Sequence, residues 1–410
     1  MNKNTKKKIS TFRKITLLLI VFASSSFVFA NVSFSGFAGG KADFSSDTPE
    51  KFSPELKIQS YFSGQLSISE DLLARAEFSV ATDDLIENSV FKKTPAEFQI
   101  DELSIIFRRR LLDSANYLSA FVGTYEPIGS DIFLRRQFGI QPVASRLMES
   151  WLGLAGSVIY PLFGVGISDV LHFNAQPIAL GTYIYINHEL DNSYVFNTDF
   201  RFACVYRLFT FDLSAGVGVP LKQNNSDENI LVVDTLYWRT GMNMLIGNNY
   251  TTSLFIQAGI SSVPFKKHTS LQLSDFENAY ILIEPRFRAK EFQVNITAFS
   301  LPQETVSSSL FINDTLGLNI DVFTDNLYIK NKVFVFGINS SLSFADKDYL
   351  DFGRITEFFK EDYTIAIAPY IATSFYNGEF HTSLKAVLSD MINNRWGTAF
   401  KLSVGYKSQL

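Results

Sequence analysis

A single cysteine, Cys204, stands in 410 residues, which excludes a disulfide framework and any thiolate-ligated metal cluster. Its place in a row of alternating aromatics makes it a small apolar filler, not a nucleophile. Only four histidines occur, His172, His188, His268 and His381, and they are scattered. Asp169 and His172 have the spacing of an acid–base pair, but among four histidines one such spacing arises by accident. Gly-x-Ser-x-Gly, His-Glu-x-x-His and a phosphate-cradling glycine loop are all missing. No enzyme activity, cofactor or metal is therefore expected. Long apolar runs are missing too: past residue 30 no stretch reaches about 18 consecutive apolar residues, so no helix is available to span a bilayer. Basic charge is not in excess, with 36 Lys and Arg against 41 Asp and Glu. That balance argues against nucleic acid as a partner.

The N-terminus concentrates what basic charge there is. Lys3, Lys6, Lys7, Lys8, Arg13 and Lys14 precede an apolar run from Ile15 to Phe22, and Val28-Phe29-Ala30 follows. This is the order of a secretory signal peptide, residues 1–30, cleaved after Ala30. The apolar run is shorter than the roughly 20 residues of a spanning anchor, and no cysteine at the cleavage point makes a lipoprotein. Removing these six basic residues leaves 30 against 41 acidic ones, so the mature domain, 31–410, is acidic.

Aromatics make up 15% of the chain, and phenylalanine alone accounts for 40 residues. The chain is too apolar for disorder. An exported, aromatic-rich protein without a spanning helix can still enter a membrane as a closed barrel, in which every backbone polar group is paired. The segment Val195–Val219 shows the required pattern. Phe196, Phe200, Phe202, Cys204 and Tyr206 alternate with Asn197, Asp199 and Arg201, and after a two-residue break Phe209, Phe211, Leu213, Ala215 and Val217 alternate with Thr210, Asp212 and Ser214. A period of two means extended strand with two unlike faces.

Similar hairpins recur. Leu56 to Ile68 turns at Ser69-Glu70-Asp71, Leu236 to Ile246 at Gly247-Asn248-Asn249, Ile281 to Phe287 at Lys290-Glu291, Leu316 to Val322 at Thr324-Asp325-Asn326, and Tyr363 to Ile371 at Asn377-Gly378, a favoured hairpin dipeptide. The last strand reads Trp396, Thr398, Phe400, Leu402, Val404, Tyr406. Longer polar connections lie between hairpins: Lys222 to Asn229, Pro264 to Asn278, Pro302 to Ser309 and Ala345 to Asp362. Short turns at one end and long loops at the other are the habit of transmembrane barrels. Strands of about 10 to 12 residues, tilted near 40°, rise roughly 25 to 30 Å, enough to cross. The predicted fold is an all-β transmembrane antiparallel β-barrel of about 18 strands, within a range of 16 to 20, since roughly 21 residues serve one strand and its connection and a barrel whose two ends share the periplasm needs an even count.

A soluble secreted sandwich or solenoid would share the alternation. Strand length beyond the usual five or six residues, charges on the polar face of nearly every strand, and the alternation of short and long turns all favour the barrel. Phe196, Phe200, Phe209 and Phe211 are then expected against lipid. A mid-strand charge costs about 2 to 4 kcal/mol on the lipid face and almost nothing in water, so Arg75, Glu77, Asp199, Arg201, Asp212, Arg239, Glu284, Arg286 and Arg288 are expected to line the lumen.

Arg395-Trp396-Gly397-Thr398-Ala399-Phe400-Lys401-Leu402 resembles the terminal signal of outer-membrane barrels of diderm bacteria, a polar residue, a glycine and two apolar residues at fixed spacing. The family usually finishes on its last aromatic, whereas here Lys407-Ser408-Gln409-Leu410 follow Tyr406. The resemblance implies localisation in an outer membrane and recognition by the outer-membrane assembly machinery. A second resemblance is to general porins, whose loop after the fifth strand folds into the lumen. Here Tyr117 to Tyr125 runs into Glu126-Pro127-Ile128-Gly129-Ser130-Asp131, similar in its proline, glycine and acid spacing.

Residues 126–150 also form the longest segment without alternation. Glu126, Asp131, Arg135, Arg136, Arg146 and Glu149 are candidates for a constriction loop; a solvated surface loop is the alternative. Arg108-Arg109-Arg110 reads either as a headgroup-level anchor or as an anion funnel at a pore mouth. A porin-like channel for small solutes or ions is the leading expectation, because 18 strands enclose an aqueous lumen. A surface adhesin or ligand-binding barrel using Pro264 to Asn278 and Ala345 to Asp362 is the alternative, and a hydrophobic-solute transporter is a variant suggested by the phenylalanines. The expected partners are outer-membrane lipid, the assembly machinery and the solute, with a homotrimer as the assembly common in porin-like families.

Overall fold

The alternating rows become strands, apart from the start of the last one, in the computed structural model, which describes residues 32–46, 48–86, 96–111, 113–140, 143–148, 158–190, 193–221, 235–248, 251–266, 279–307, 309, 311–330, 332–344 and 363–410. The strands are β1 (Ser33–Ser45), β2 (Glu55–Ser67), β3 (Leu72–Thr82), β4 (Ala96–Leu111), β5 (Ser114–Thr124), β6 (Phe163–Phe173), β7 (Ile178–Leu190), β8 (Ser193–Tyr206), β9 (Phe209–Leu221) and β10 (Thr235–Ile246). They continue as β11 (Ser253–Lys266), β12 (Ala279–Arg288), β13 (Phe292–Ser300), β14 (Leu316–Thr324), β15 (Leu327–Ile329), β16 (Lys332–Phe344), β17 (Tyr363–Phe375), β18 (Gly378–Val387) and β19 (Phe400–Gln409). Each pairs antiparallel with its neighbour in sequence, except that β14 and β15 both pair with β16, and β1 closes the ring on β19 from Phe37↔Gln409 to Phe44↔Leu402.

The ring has 18 staves, because β14 and β15 both pair with β16 and form one stave. Five residues from Phe323 to Leu327 oppose four from Gly337 to Phe334, which is a β-bulge. Thr324-Asp325-Asn326 is therefore not the expected hairpin turn. Asp325 is tied down by Arg288 through two 2.9 Å bonds and by Gln293 at 2.7 Å, and the chain turns later, at Lys330 with φ +48°. Two further expectations change. Trp396 and Thr398 precede β19 in a turn whose Gly397 N–H donates to the Pro49 carbonyl, so most of the Arg395 to Leu402 signal lies outside the last strand. Pro264 lies within β11. The signal-peptide segment 1–30, Lys222 to Asn229, Ala345 to Asp362 and most of Pro264 to Asn278 lie outside the described residues.

Both termini of the barrel wall sit at the end that carries the short turns, which span two to six residues. Connections at the other end span nine to 38 residues, except the two-residue link between β7 and β8. A stave of 11 to 13 residues tilted near 40° rises roughly 28 to 33 Å, sufficient for the apolar band of an outer membrane. Among the described residues no helix is long and apolar enough to cross.

The two faces differ as the period of two requires. Outward, Phe200, Phe98 and Val165 are 61%, 63% and 62% exposed, and Phe34, Phe62, Phe78 and Phe98 stack in succession across β1 to β4 at centroid distances of 6.4, 6.2 and 5.8 Å. Inward, Asp199, Arg201 and Asp212 are buried. Phe196, Phe200, Phe209 and Phe211 stand on the outer face. Phe200 lies mid-stave, so Phe200→Lys is expected to destabilise the inserted barrel by about 2 to 4 kcal/mol, read as a lower urea midpoint in lipid vesicles, whereas Phe200→Leu leaves it near wild type.

Candidate functional site

The alternation fails after Thr124, and there the chain turns into the barrel. Tyr125 N–H donates to the Leu162 carbonyl at 2.9 Å, Ile128 N–H to Tyr160 at 3.0 Å and Ile159 N–H to Ile128 at 2.7 Å, so the two ends of the 125–162 connection run together as a ribbon. Ile128 and Ile159 lie over Gly241 and Gly259. A Cβ at these positions would meet Ile128 Cγ2 at 2.4 Å and Ile159 Cγ2 at 2.7 Å, so only glycine lets the ribbon approach the wall this closely. Gly129 then offers its carbonyl to Asn243 at 2.8 Å and to Gln257 at 2.9 Å. The short helix α1 (Ile132–Phe138) follows and buries Ile132, Phe133 and Leu134.

Charged side chains of the wall hold this segment. Arg201 makes a bidentate pair with Asp212 at 2.8 and 2.6 Å, donates to the Glu126 carbonyl at 2.8 Å and lies 4.2 Å from the Phe133 ring. Glu126, held at φ +49°, accepts from Tyr183 at 2.7 Å; a non-glycine residue there costs local strain that these contacts offset. Arg239 pairs with Asp199 at 2.8 and 2.6 Å, and Tyr160 donates to Asp199 at 3.2 Å. Glu284 accepts from Ser145 and from Arg286, which also donates to the Val143 and Ala144 carbonyls at 2.8 and 3.2 Å. Arg146 lies 4.1 Å from the Phe323 ring and 3.7 Å from Asp321.

From the loop side, Arg136 reaches Glu102 at 2.7 Å, Glu126 at 3.7 Å and Glu77 at 3.9 Å. Burial alone would lower its pKa, but the carboxylates of Glu102, Glu126 and Glu77 more than offset that and keep it charged. Arg135 is exposed, and Glu149 lies outside the described residues. A closed antiparallel ring of 18 staves, apolar outside and charged inside, with the segment after its fifth strand folded inward, is now complete. Its architecture is that of a porin-like outer-membrane β-barrel.

No family model matches this porin-like barrel, and no curated protein does. Among solved structures it is similar to Salmonella typhi OmpF in complex with daunomycin, at 12% identity and TM-score 0.40, over 92% of this chain and 97% of that one. It is also similar to a Rhodopseudomonas blastica porin triple mutant, at 10% identity and TM-score 0.42 over 93% and 100%. A third likeness is to Wzi of Escherichia coli, described as a carbohydrate-binding β-barrel involved in group 1 capsule assembly, at 10% identity and TM-score 0.45 over 92% and 85%.

In the porin-like barrel Asp199, Arg201, Asp212, Arg239, Glu284 and Arg286 face inward but meet the inserted segment rather than open water. Arg201 is only 2% exposed. Arg75 is bonded to Gln65 at 2.8 Å, and Glu77 accepts from Ser63 at 2.7 Å and faces Arg136 of the segment at 3.9 Å. Arg288 borders a cavity of about 310 Å³ near the short-turn end, shared with Arg146, Phe323 and Asp325. Arg108 lies 5.7 Å from the Tyr117 ring, while Arg109 and Arg110 are exposed at the short-turn end. Asp169 accepts from Asn116, and His172 packs edge-on against Phe138 at 5.1 Å, so the two are engaged separately.

A second insertion escapes sequence reading. The connection between β13 and β14 buries Leu301, Val306, Phe311 and Ile312 in the same apolar cluster, Ser341 donates to the Phe311 carbonyl at 3.1 Å, and it includes α2 (Gln303–Ser307). Its buried apolar residues sit at i, i+5, i+10 and i+11, a spacing without strand or helix period. The two insertions leave the wall of β19, β1, β2 and β3 least covered. Inward Lys41, Lys57 and Lys401 keep 21%, 46% and 36% of their side chains exposed.

One loop carboxyl links docking to pH. Asp131 Oδ2 accepts from Val143 N–H at 2.9 Å and Ala144 N–H at 2.8 Å, clasping the segment to itself. Burial pushes its carboxyl up to about 6, against the lowering effect of those donors and of Arg135 and Arg286. A raised carboxyl pKa means that the docked segment binds the proton more tightly than the released one, so docking is strongest below the ordinary value of 3.8 and weakens as pH rises to about 6. Single-channel traces are expected to flicker more at pH 7.5 than at pH 4.5, and Asp131→Asn is expected to remove that difference.

Proposed function

We propose that the protein is a narrow diffusion channel of the outer membrane, exported by residues 1–30, with its short-turn end toward the periplasm. One observation carries this reading. The 125–162 segment is fixed to the wall from β4 round to β14 by ion pairs of Arg136 and Arg146 and by arginine-to-carbonyl hydrogen bonds, while the opposite wall, β19 to β3, keeps charged side chains in contact with solvent. The lumen is thus narrowed on one side and wet on the other. A constriction lined by fixed charges selects among small hydrophilic solutes and ions. The test is planar-bilayer recording of refolded protein whose barrel form is verified by heat-modifiable gel migration. Discrete openings well below those of an unobstructed barrel of this size support the channel; a properly folded barrel that never conducts overturns it.

A further inference from the structure

Beside the least covered wall, two lysines face each other across adjacent strands. Lys385 of β18 and Lys401 of β19 are direct cross-strand neighbours, an arrangement that repels when both are charged. Lys385 is 8% exposed, and the acceptor its ammonium finds among the described residues is the Ile312 carbonyl at 3.4 Å, from the second inserted connection. Asp314, the acidic side chain that acts on it, is bonded to Ser343 at 2.8 Å. Lys401 must share Asp43 at 3.6 Å with Lys41, which holds it at 3.0 Å, and Asp43 also accepts from Ser403. Two ammonium groups thus share one carboxylate, with the Lys385 ammonium on the adjacent strand. The buried Ser383 hydroxyl, two residues from Lys385 on the same inward face and opposite Ser403, has no hydrogen-bond partner among the described residues.

An ammonium group has three donors and no acceptor, and burying it beside another cation with one long hydrogen bond is costly unless an anion completes the site. We propose that Lys385, Lys401, Lys41 and the Ser383 hydroxyl form a binding station for a small oxyanion, a phosphate- or carboxylate-bearing solute. Lys385 and Lys401 lie near the long-connection ends of their staves, so the station stands at the outer mouth of the lumen. Lys401 and Lys41 give the anion its approach from water, and Lys385 and Ser383 hold its inner side. The station's role in admitting solutes rests on the channel reading, but binding itself does not.

The test uses refolded full-length barrel in detergent, with inorganic phosphate as the probe followed by ³¹P line broadening, and in parallel bilayer reversal potentials in a KCl gradient. Wild type is expected to broaden the phosphate signal and to prefer chloride over potassium. Lys385→Met removes the buried charge without leaving a cavity, so the barrel remains folded; phosphate binding is expected to weaken roughly tenfold and chloride preference to fall several-fold. Ser383→Ala is expected to weaken phosphate binding less, with unchanged gel migration. Phosphate bound by a folded barrel that does not conduct supports the station while removing the channel. A conducting barrel that binds no phosphate, or whose binding is the same in Lys385→Met, overturns the station and leaves the channel standing.

Discussion

Replacing residues 129–158 by a short Gly-Ser turn between Ile128 and Ile159 raises single-channel conductance several-fold and makes openings steadier. The physical reason is that the segment carries Phe133, Leu134, Val143 and Leu147 into the lumen, where they pack against Phe255, Tyr280, Leu282 and Phe299 of the wall. Removing it uncovers Arg201, Arg239 and Arg286, each already paired with a carboxylate of the wall itself, so water can hydrate them with little penalty. Tyr125 and Ile128 keep their backbone partners across the base of the ribbon, and the barrel closes without the insertion. Ion selectivity shifts as well, since the current then averages over all wall charges and not only those of β19 to β3. Unchanged conductance in a folded deletion variant would mean that the segment does not limit the passage.

Arg201→Ala has the largest expected effect of any single substitution. It strips Asp212, 3% exposed, of both charge-assisted bonds and leaves the Glu126 carbonyl and the Phe133 ring without their cation. Breaking a buried pair from one side costs about 3 to 5 kcal/mol, because the remaining charge stays buried and uncompensated. Replacing both partners, Arg201→Met with Asp212→Leu, is expected to recover most of that loss, since two matched apolar groups need no counter-charge. Arg110→Ala removes an exposed pair with Glu70 at 3.3 Å and should cost under about 1 kcal/mol. Urea titrations of the three variants in vesicles check the ranking; an Arg201→Ala midpoint equal to that of Arg110→Ala would show that the segment is not clamped there.

Much of the wall is legible in the sequence because one physical rule, the period of two, writes it residue by residue. Phe196 and Phe200 against Asp199 and Arg201 identify a lipid face and an inner face, and chain length per strand with the need for an even count gives about 18 staves. The bend after Thr124 is also legible, since alternation stops and an acidic, glycine-bearing stretch begins. What meets those inner charges is not legible. Whether Glu284 faces water or Ser145 depends on a contact across 139 positions, which no local pattern encodes. Thr324-Asp325-Asn326 misleads for a similar reason: its composition suits a hairpin turn, but Arg288 and Gln293 of neighbouring strands capture Asp325 and hold the chain as a bulge. The second insertion is hidden because Pro302 to Ser309 looks polar with Val306 its lone aliphatic residue, while the other buried anchors, Leu301, Phe311 and Ile312, fall just outside that stretch.

The central claim is that lipid touches one face of each stave while water reaches the other along the β19 to β3 wall. Two adjacent residues of β2 test it most directly: Ile58 points outward, and Gln59, paired with Lys41 and Ala81, points inward. In a Cys204→Ala background, cysteine is placed at each position and a charged, membrane-impermeant methanethiosulfonate is added during bilayer recording. Gln59→Cys is expected to react rapidly and step the current down, while Ile58→Cys stays silent. Equal reactivity at both positions, or reaction at Ile58→Cys alone, would contradict the account.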